Sequence, residues 1–376
     1  MPLKVLIVPD KFKGTLTAQA AAQAIAEGWC ELRPNDGLEL LPMSDGGDGF
    51  GEVMSALISA EARTVQTLDA AHRPHQARWW WDPGSGTAIV ESANVIGLAL
   101  LPLGKYHPFE LDTAGLGVVI RAAASAGARR IVLGIGGSAT NDCGFGLARA
   151  LGWTFLDARS HPIASWSSMD RLTQIIPPST LLDLPEIHVA VDVQNPLLGP
   201  TGASRIYGPQ KGLRSEDMPR AESCLERLAE ICTRDLKLVP ASVPGDGAAG
   251  GLGFGLRCFL KGWLESGFKL FANYARLEER VGSAQLVITG EGAIDNSTLM
   301  GKGVGEIAKL CQRNGVPCLG LAGTLGGNLR GAQSTEPFKC LCGIAPTLTD
   351  PEEAKRNAAS WLRRLAAESA RSWPTA

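Results

Sequence analysis

Short, continuous apolar runs alternate along this chain with longer stretches in which apolar residues recur every three to four positions. Leu3–Val8 is one such run and Leu38–Leu41 another, and runs this short read as buried strands of a parallel sheet. Between them AQAAAQAIAEGWCEL has helical spacing and propensity, with Thr17 placed to cap it. The other end repeats the alternation. Strand Gln285–Thr289 precedes a helix over 303–314, strands over 316–321 and near 338–345, and a helix over 350–372 with Arg363 and Arg364 on its solvent side. The middle holds RWWW (78–81), TAIVES (87–92), a helix near 115–126, Ile131–Leu133, IHVAVD (187–192) and a helix over 215–235. Three consecutive tryptophans fit a strand packed on both faces.

Neither end has strands enough for a sheet of its own. Two N-terminal and three C-terminal strands together predict an α/β fold: a flavodoxin-like, doubly wound domain built from both chain ends, residues 1–65 and 285–376. Residues 66–284 would form a second α/β domain inserted into it. In such a sheet the order reverses between the first and third strands, and ligands bind beside that point. The loops Asp10–Gly14 and Gly290–Asp295 should flank it, with the active site expected in a cleft between the domains.

Glycine marks where the chemistry should lie. Six stretches combine it with acids, lysines or hydroxyls: PDKFKGTLT (9–17), MSDGGDGF (43–50), IVLGIGGSATNDCGFG (131–146), DVQNPLLGPTGASRIYGPQKG (192–212), GDGAAGGLGFG (245–255) and TGEGAIDNSTLMGKG (289–303). A strand that delivers bare backbone to a helix N-terminus can bind anions, and glycine lets a phosphate approach closely. Gly134-x-Gly136-x-x-Ala139, with Asp157 further on, also matches a dinucleotide fingerprint, and would suggest NAD. A Walker A loop is absent, because Gly301-Lys302 lacks the required glycine at Asn296. Asp192 ends an apolar strand; it is either a general base for a substrate hydroxyl or the cap of the Pro196 turn. Lys211 is either a phosphate contact or a loop lysine.

Composition narrows the class. A formal charge of −2 on 376 residues gives no electrostatic pull towards nucleic acid or an anionic membrane. The N-terminus runs straight into a strand, with no secretory signal and no membrane-length apolar stretch, so the expected location is cytoplasmic. The nine cysteines are scattered and should be reduced thiols. Cys340-x-Cys342 reads as one strand face, and His72-x-x-His75 lacks the partners of a zinc site.

Taken in order, PDKFKGTLTA, SDGGDG, GIGGSATND, DVQNPLLGPTGAS…YGPQKG, PGDGAAGGLG and ITGEGAID…GK resemble the type-1 glycerate kinases, or glycerate 2-kinases, over essentially the whole chain. The resemblance implies ATP-dependent phosphorylation of D-glycerate with Mg2+, usually to 2-phosphoglycerate, by a monomer or homodimer. It also implies a flavodoxin-like domain with a second α/β domain, in agreement with the strand pattern. Some positions depart from the family. Cys143 replaces a glycine, Phe50 a threonine and Lys11 a serine, while Ala293 and Ser297 stand for Arg and Gln. Ala114-Gly115-Leu116-Gly117 replaces an aromatic-Gly-Thr-Gly stretch.

Phosphoryl transfer needs charge neutralised and aligned. Gly134, Gly136, Gly137 and Ser138, with Asn141, Asp142, Gly250 and Gly251, would hold the nucleotide, and Lys211 would help. Lys13 and Lys11 would offset charge, and Asp10, Gly46, Gly47, Glu291 and Asp295 would contact substrate. Asp45, Glu291 or Asp295 would hold Mg2+. Asp192 is the first choice as base and Asp45 the second. Gly137→Val should then raise the ATP KM or abolish turnover with little loss of fold. The rivals are an NAD-dependent oxidoreductase and a non-catalytic organic-acid binding protein.

Overall fold

The computed structural model describes residues 2–179, 184–238, 242–299, 303–326, 329 and 336–374. The Gly301-Lys302 pair and the side chain of Ser297 lie outside the described residues. In chain order the described strands are β1 (Lys4–Pro9), β2 (Gly37–Leu40), β3 (Glu61–Leu68), β4 (Pro74–Asp82), β5 (Thr87–Glu91), β6 (Arg130–Gly134), β7 (Thr154–Leu156), β8 (Gln174–Ile176), β9 (Glu186–Val191), β10 (Trp263–Ser266), β11 (Leu286–Ile294), β12 (Cys318–Leu325) and β13 (Cys340–Ala345).

Residues up to Asp45 and from Phe268 onward form one compact unit. Its sheet runs β13-β12-β11-β1-β2 and is parallel throughout, with Val5 opposite Leu286 and Ile7 opposite Leu40. Two strands from one chain end and three from the other thus make the doubly wound order anticipated from the apolar runs. Thr17 caps the helix Ala18–Leu32, its hydroxyl accepting from the Ala20 N–H at 3.1 Å. That helix packs against Ala358–Ser372 so closely that a Cβ on Gly28 would lie 2.0 Å from the Arg363 carbonyl oxygen. The expected single C-terminal helix is two, Pro351–Arg356 and Ala358–Ser372, broken at Asn357. Arg363 is not simply solvated, since it pairs with Glu31 and, at 3.8 Å, with Glu27.

Gly46–Gly267 form the second unit. Its sheet runs β10-β9-β6-β5-β4-β3; the first four strands are parallel, and β3 and β4 are antiparallel additions. The unit boundaries therefore fall at 45/46 and 267/268 rather than 65/66 and 284/285. At the first boundary, β3 pairs along its whole length with β4, and the Phe50 ring lies against Gly134 of β6. At the second, Leu277 and Val281 are buried and the helix Leu277–Ser283 packs on β1. Trp79, Trp80 and Trp81 are all buried, on both faces of β4. Trp79 and Trp81 join the main core, while the Trp80 ring covers Gly51. The glycine stretch 245–255 is turn through Gly247 and non-helical at Ala249, Gly250 and Gly251, all at positive φ; beyond that kink the chain continues as helix to Leu260.

Candidate active site

In the first unit the site residues gather where the strand order reverses. The Asp10 N–H donates to the Gly290 carbonyl of neighbouring β11 at 2.9 Å, and the Asp10 carboxylate accepts from the Lys11 N–H at 2.7 Å. Burial, then the charge of Asp45, with Glu291 adding to it, pushes the Asp10 carboxyl up to about 8, and Lys11 opposes the shift. Asp10, Asp45, Glu291 and Lys11 therefore share one electrostatic neighbourhood. Glu291 accepts from the Thr298 hydroxyl at 2.7 Å. Asp295 faces the same threonine, accepting from the Thr298 N–H at 3.4 Å as the short helix Asn296–Leu299 begins. The PDKFKGTLT loop is closed by the Phe12 N–H donating to the Leu16 carbonyl at 2.9 Å. Phe12 is buried and Lys13 exposed at the tip.

In the second unit the carboxyl ends of parallel β5, β6 and β9 carry Glu91, the GGSATND loop and Asp192. Glu91 organises the SDGGDG loop, its two carboxylate oxygens accepting from the N–H groups of Gly49 at 3.0 Å and Gly51 at 2.9 Å. That loop lies directly on the second glycine-rich loop. A Cβ on Gly136 would meet the Gly47 Cα at 2.7 Å, and the Gly136 N–H donates to the Gly46 carbonyl at 3.1 Å. Gly137 has φ +73° and a Cβ there would sit 2.2 Å from an Asp48 carboxylate oxygen. Loop-on-loop packing thus accounts for Gly134, Gly136 and Gly137. The expectation that Gly137→Val would spare the fold is corrected accordingly.

The polar half of the loop is turned inward. The wholly buried Asp142 carboxylate accepts from the Thr113 N–H (2.9 Å), the Thr113 hydroxyl (2.7 Å) and the Gly146 N–H (2.9 Å). Burial first, then Asp112, lifts its carboxyl to about 6 against those bonds. Asn141, also buried, donates from Nδ2 to the Ser204 hydroxyl at 2.9 Å. Through these bonds both residues shape the loop. Thr140 Oγ1 and Asn141 Oδ1 are buried and unpartnered among the described residues. Lys211, 6 % exposed, ends the helix Ala203–Lys211 and donates from Nζ to the Thr140 carbonyl (2.6 Å) and the Ser138 hydroxyl (3.2 Å). Burial pushes its ammonium down to about 7. Ser138 donates onward to the Ala249 carbonyl at 3.1 Å. A Cβ on Gly250 would collide with the Thr140 carbonyl at 2.0 Å, and one on Gly251 with Cys143 Sγ at 2.9 Å. These two glycines seat the helix Ala248–Leu260 against the loop.

Asp192 is exposed, immediately after Val191 of β9, and its charge helps burial to raise the Tyr207 phenol. Tyr207 donates to Asn195 Oδ1 at 2.6 Å, and Asn195 Nδ2 donates to the Thr201 carbonyl at 2.8 Å, closing the loop that follows. A Cβ on Gly46 would sit 3.0 Å from the Ala190 carbonyl, so the SDGGDG loop also borders this strand end. Glu91, Thr113 and Tyr207 escaped the sequence reading. Only Glu91 left a signal, as a lone carboxylate ending the apolar run TAIV.

The dinucleotide reading does not survive. After Gly134 the next helix begins only at Phe145. Asp157 lies outside the parallel sheet, beside the β7-β8 hairpin, where its carboxylate accepts from the N–H groups of Arg159 at 2.8 Å and His161 at 2.9 Å. Among the described residues no three His, Cys, Asp or Glu side chains could hold a metal by themselves, and none of the nine cysteines is in a disulfide. No described helix is long and apolar enough to cross a membrane.

Parallel sheets with glycine loops and carboxylates at their carboxyl ends define an α/β protein whose polar residues gather where ligands of such sheets bind. A profile of the glycerate kinase family matches residues 5–374. The chain is 35 % identical to the glycerate kinase of Halalkalibacterium halodurans over 96 % of each chain, and 37 % identical to the glycerate 2-kinase of Escherichia coli K12 over 86 % of each. The crystal structure of the protein assigned as glycerate kinase 2 from Salmonella typhimurium LT2 superposes with a TM-score of 0.83 at 32 % identity, covering 99 % of this chain and 98 % of that one. The chain belongs to the glycerate kinase family, and its activity is the phosphorylation of glycerate.

Proposed function

We propose that the chain transfers the γ-phosphoryl group of ATP to the 2-hydroxyl of D-glycerate, giving ADP and 2-phosphoglycerate. The observation that carries this reading is the acidic neighbourhood of Asp10, Asp45 and Glu291, in which burial and two carboxylates lift Asp10 to about 8. Such a donor set fits a hard divalent cation, which would relieve the mutual repulsion. Mg2+ is usually held by one or two carboxylates together with phosphate oxygens, so a three-ligand protein cage is not required. Asp45 and Glu291 would hold it, with Asp295 next to Glu291 through Thr298. When bound, the ion would neutralise and align the phosphate oxygens. The similarity to a glycerate 2-kinase supports the 2-position.

The rest of the transfer falls to the chain's own residues. Lys13 and Lys11, on the loop after β1, would offset charge on the phosphates. Exposed Gly137 and the Ser138 turn would receive the nucleotide, held from beneath by Lys211. Asp192 would take the proton of the 2-hydroxyl as its oxygen bonds to the γ-phosphorus and the bond to the bridging oxygen of ADP breaks. Phosphorus NMR of the product made from D-glycerate and ATP tests the position. The reading expects the resonance of 2-phosphoglycerate, and 3-phosphoglycerate as the sole initial product would contradict it.

A further inference from the structure

The second unit contains a pocket of about 550 Å³ that the kinase reading leaves unused, bordered by Gly146 at the end of the glycine-rich stretch. One wall is charged. Arg149 stands there over the Phe145 ring at 5.3 Å, with Nη1 donating to the Ala164 carbonyl at 2.7 Å. Beside it His72 pairs through Nε2 with Asp112 at 3.1 Å, and that bond raises the imidazole pKa. The Asp112 carboxylate that pairs with His72 also accepts from the Ala114 N–H at 2.9 Å. The lining is otherwise partly apolar and aromatic, from Trp153, Phe155 and Ile163, and Trp153 is itself fixed edge-on to Phe259 at 5.2 Å. Ala114 also lines the pocket.

We propose that this pocket is a binding site for a small organic anion whose carboxylate or phosphate head pairs with Arg149 and whose flat apolar body lies against Trp153 and Phe155. A guanidinium fork suits either head group, and the volume matches ordinary small-ligand sites, roughly 300–1,000 Å³. The wall is tied to the glycine-rich loop by Thr113. Its hydroxyl donates to Asp142 at 2.7 Å and accepts from the Leu147 N–H at 2.9 Å, so an occupant would sit one residue from the support of that loop.

The test is direct binding, measured by calorimetry with phenyl phosphate, phenylacetate and neutral benzyl alcohol on the wild type, Ala114→Tyr and Arg149→Met. Kinase activity does not enter, so this outcome is separate from the fate of the proposed function. At least one of the two anions should bind the wild type with Kd below about 1 mM. It should bind at least ten-fold more weakly to both variants, with benzyl alcohol weaker than either anion. The preferred anion identifies the head group. Ala114→Tyr adds a ring at a residue that lines the pocket, and its thermal transition reports whether it stays folded; if it does not, Arg149→Met carries the comparison. Absence of binding at about 10 mM, or equal affinity in a folded variant, would overturn the proposal.

Discussion

At the scale of single residues, Asp192 and Lys211 carry the clearest consequences. Removing a general base typically costs 10²–10⁴-fold in rate, so Asp192→Asn should lower kcat by about that factor while ATP affinity, followed by tryptophan fluorescence, holds. A near-normal kcat would leave Asp192 as a turn residue and pass the role to Asp45. A large loss of Mg2+ affinity would make it a metal ligand instead. Lys211 titrates near 7 in the folded chain, below the roughly 10.4 of an exposed lysine. Between those values the unfolded chain holds a proton that the folded chain has released, so stability rises with pH. The burial cost is therefore full below about pH 7 and fades towards pH 10. Denaturant titrations should show the wild type gaining on Lys211→Met across that window; a pH-independent difference would mean that the ammonium is not desolvated.

At the scale of elements, the glycines act mainly by letting loops touch. Gly250→Ala combines φ +72° with a Cβ 2.0 Å from the Thr140 carbonyl. It should destabilise the second unit by about 1–3 kcal/mol and raise the KM for ATP, as thermal unfolding and steady-state kinetics would show. Unchanged values would mean that the Gly250–Thr140 approach is not needed for either. This packing was illegible in the sequence, because a glycine does not announce which backbone will lie on it. What was legible were the strands of the parallel sheet: β1, β11 and β12 are mostly buried and read as apolar runs, while the edge strands β2 and β13 kept enough apolar residues to be seen despite partial exposure. Thr17 was legible for the same local reason, as a hydroxyl placed before a helical repeat. The break at Asn357 was not, because the residues on either side keep the spacing of one continuous helix. Nor was β3, whose mostly exposed EARTVQTL carries too little apolar pattern to claim its place beside β4.

For the molecule as a whole, the sequence foretold the chemistry better than the duties of individual side chains. Carboxylates and glycines at strand ends were identifiable from composition and position. That Asp142 would be buried under four donated hydrogen bonds, and Lys211 beneath the same loop, depends on tertiary approach that no local pattern encodes. The same approach explains why a dinucleotide-like spacing at Gly134–Ala139 serves no dinucleotide fold here. The most direct test of the account is steady-state ADP release by the purified full chain with ATP and Mg2+, comparing D-glycerate, L-glycerate and no acceptor. The account predicts release that requires an acceptor and strongly prefers D-glycerate. Release that ignores the acceptor, or none with D-glycerate, would contradict it.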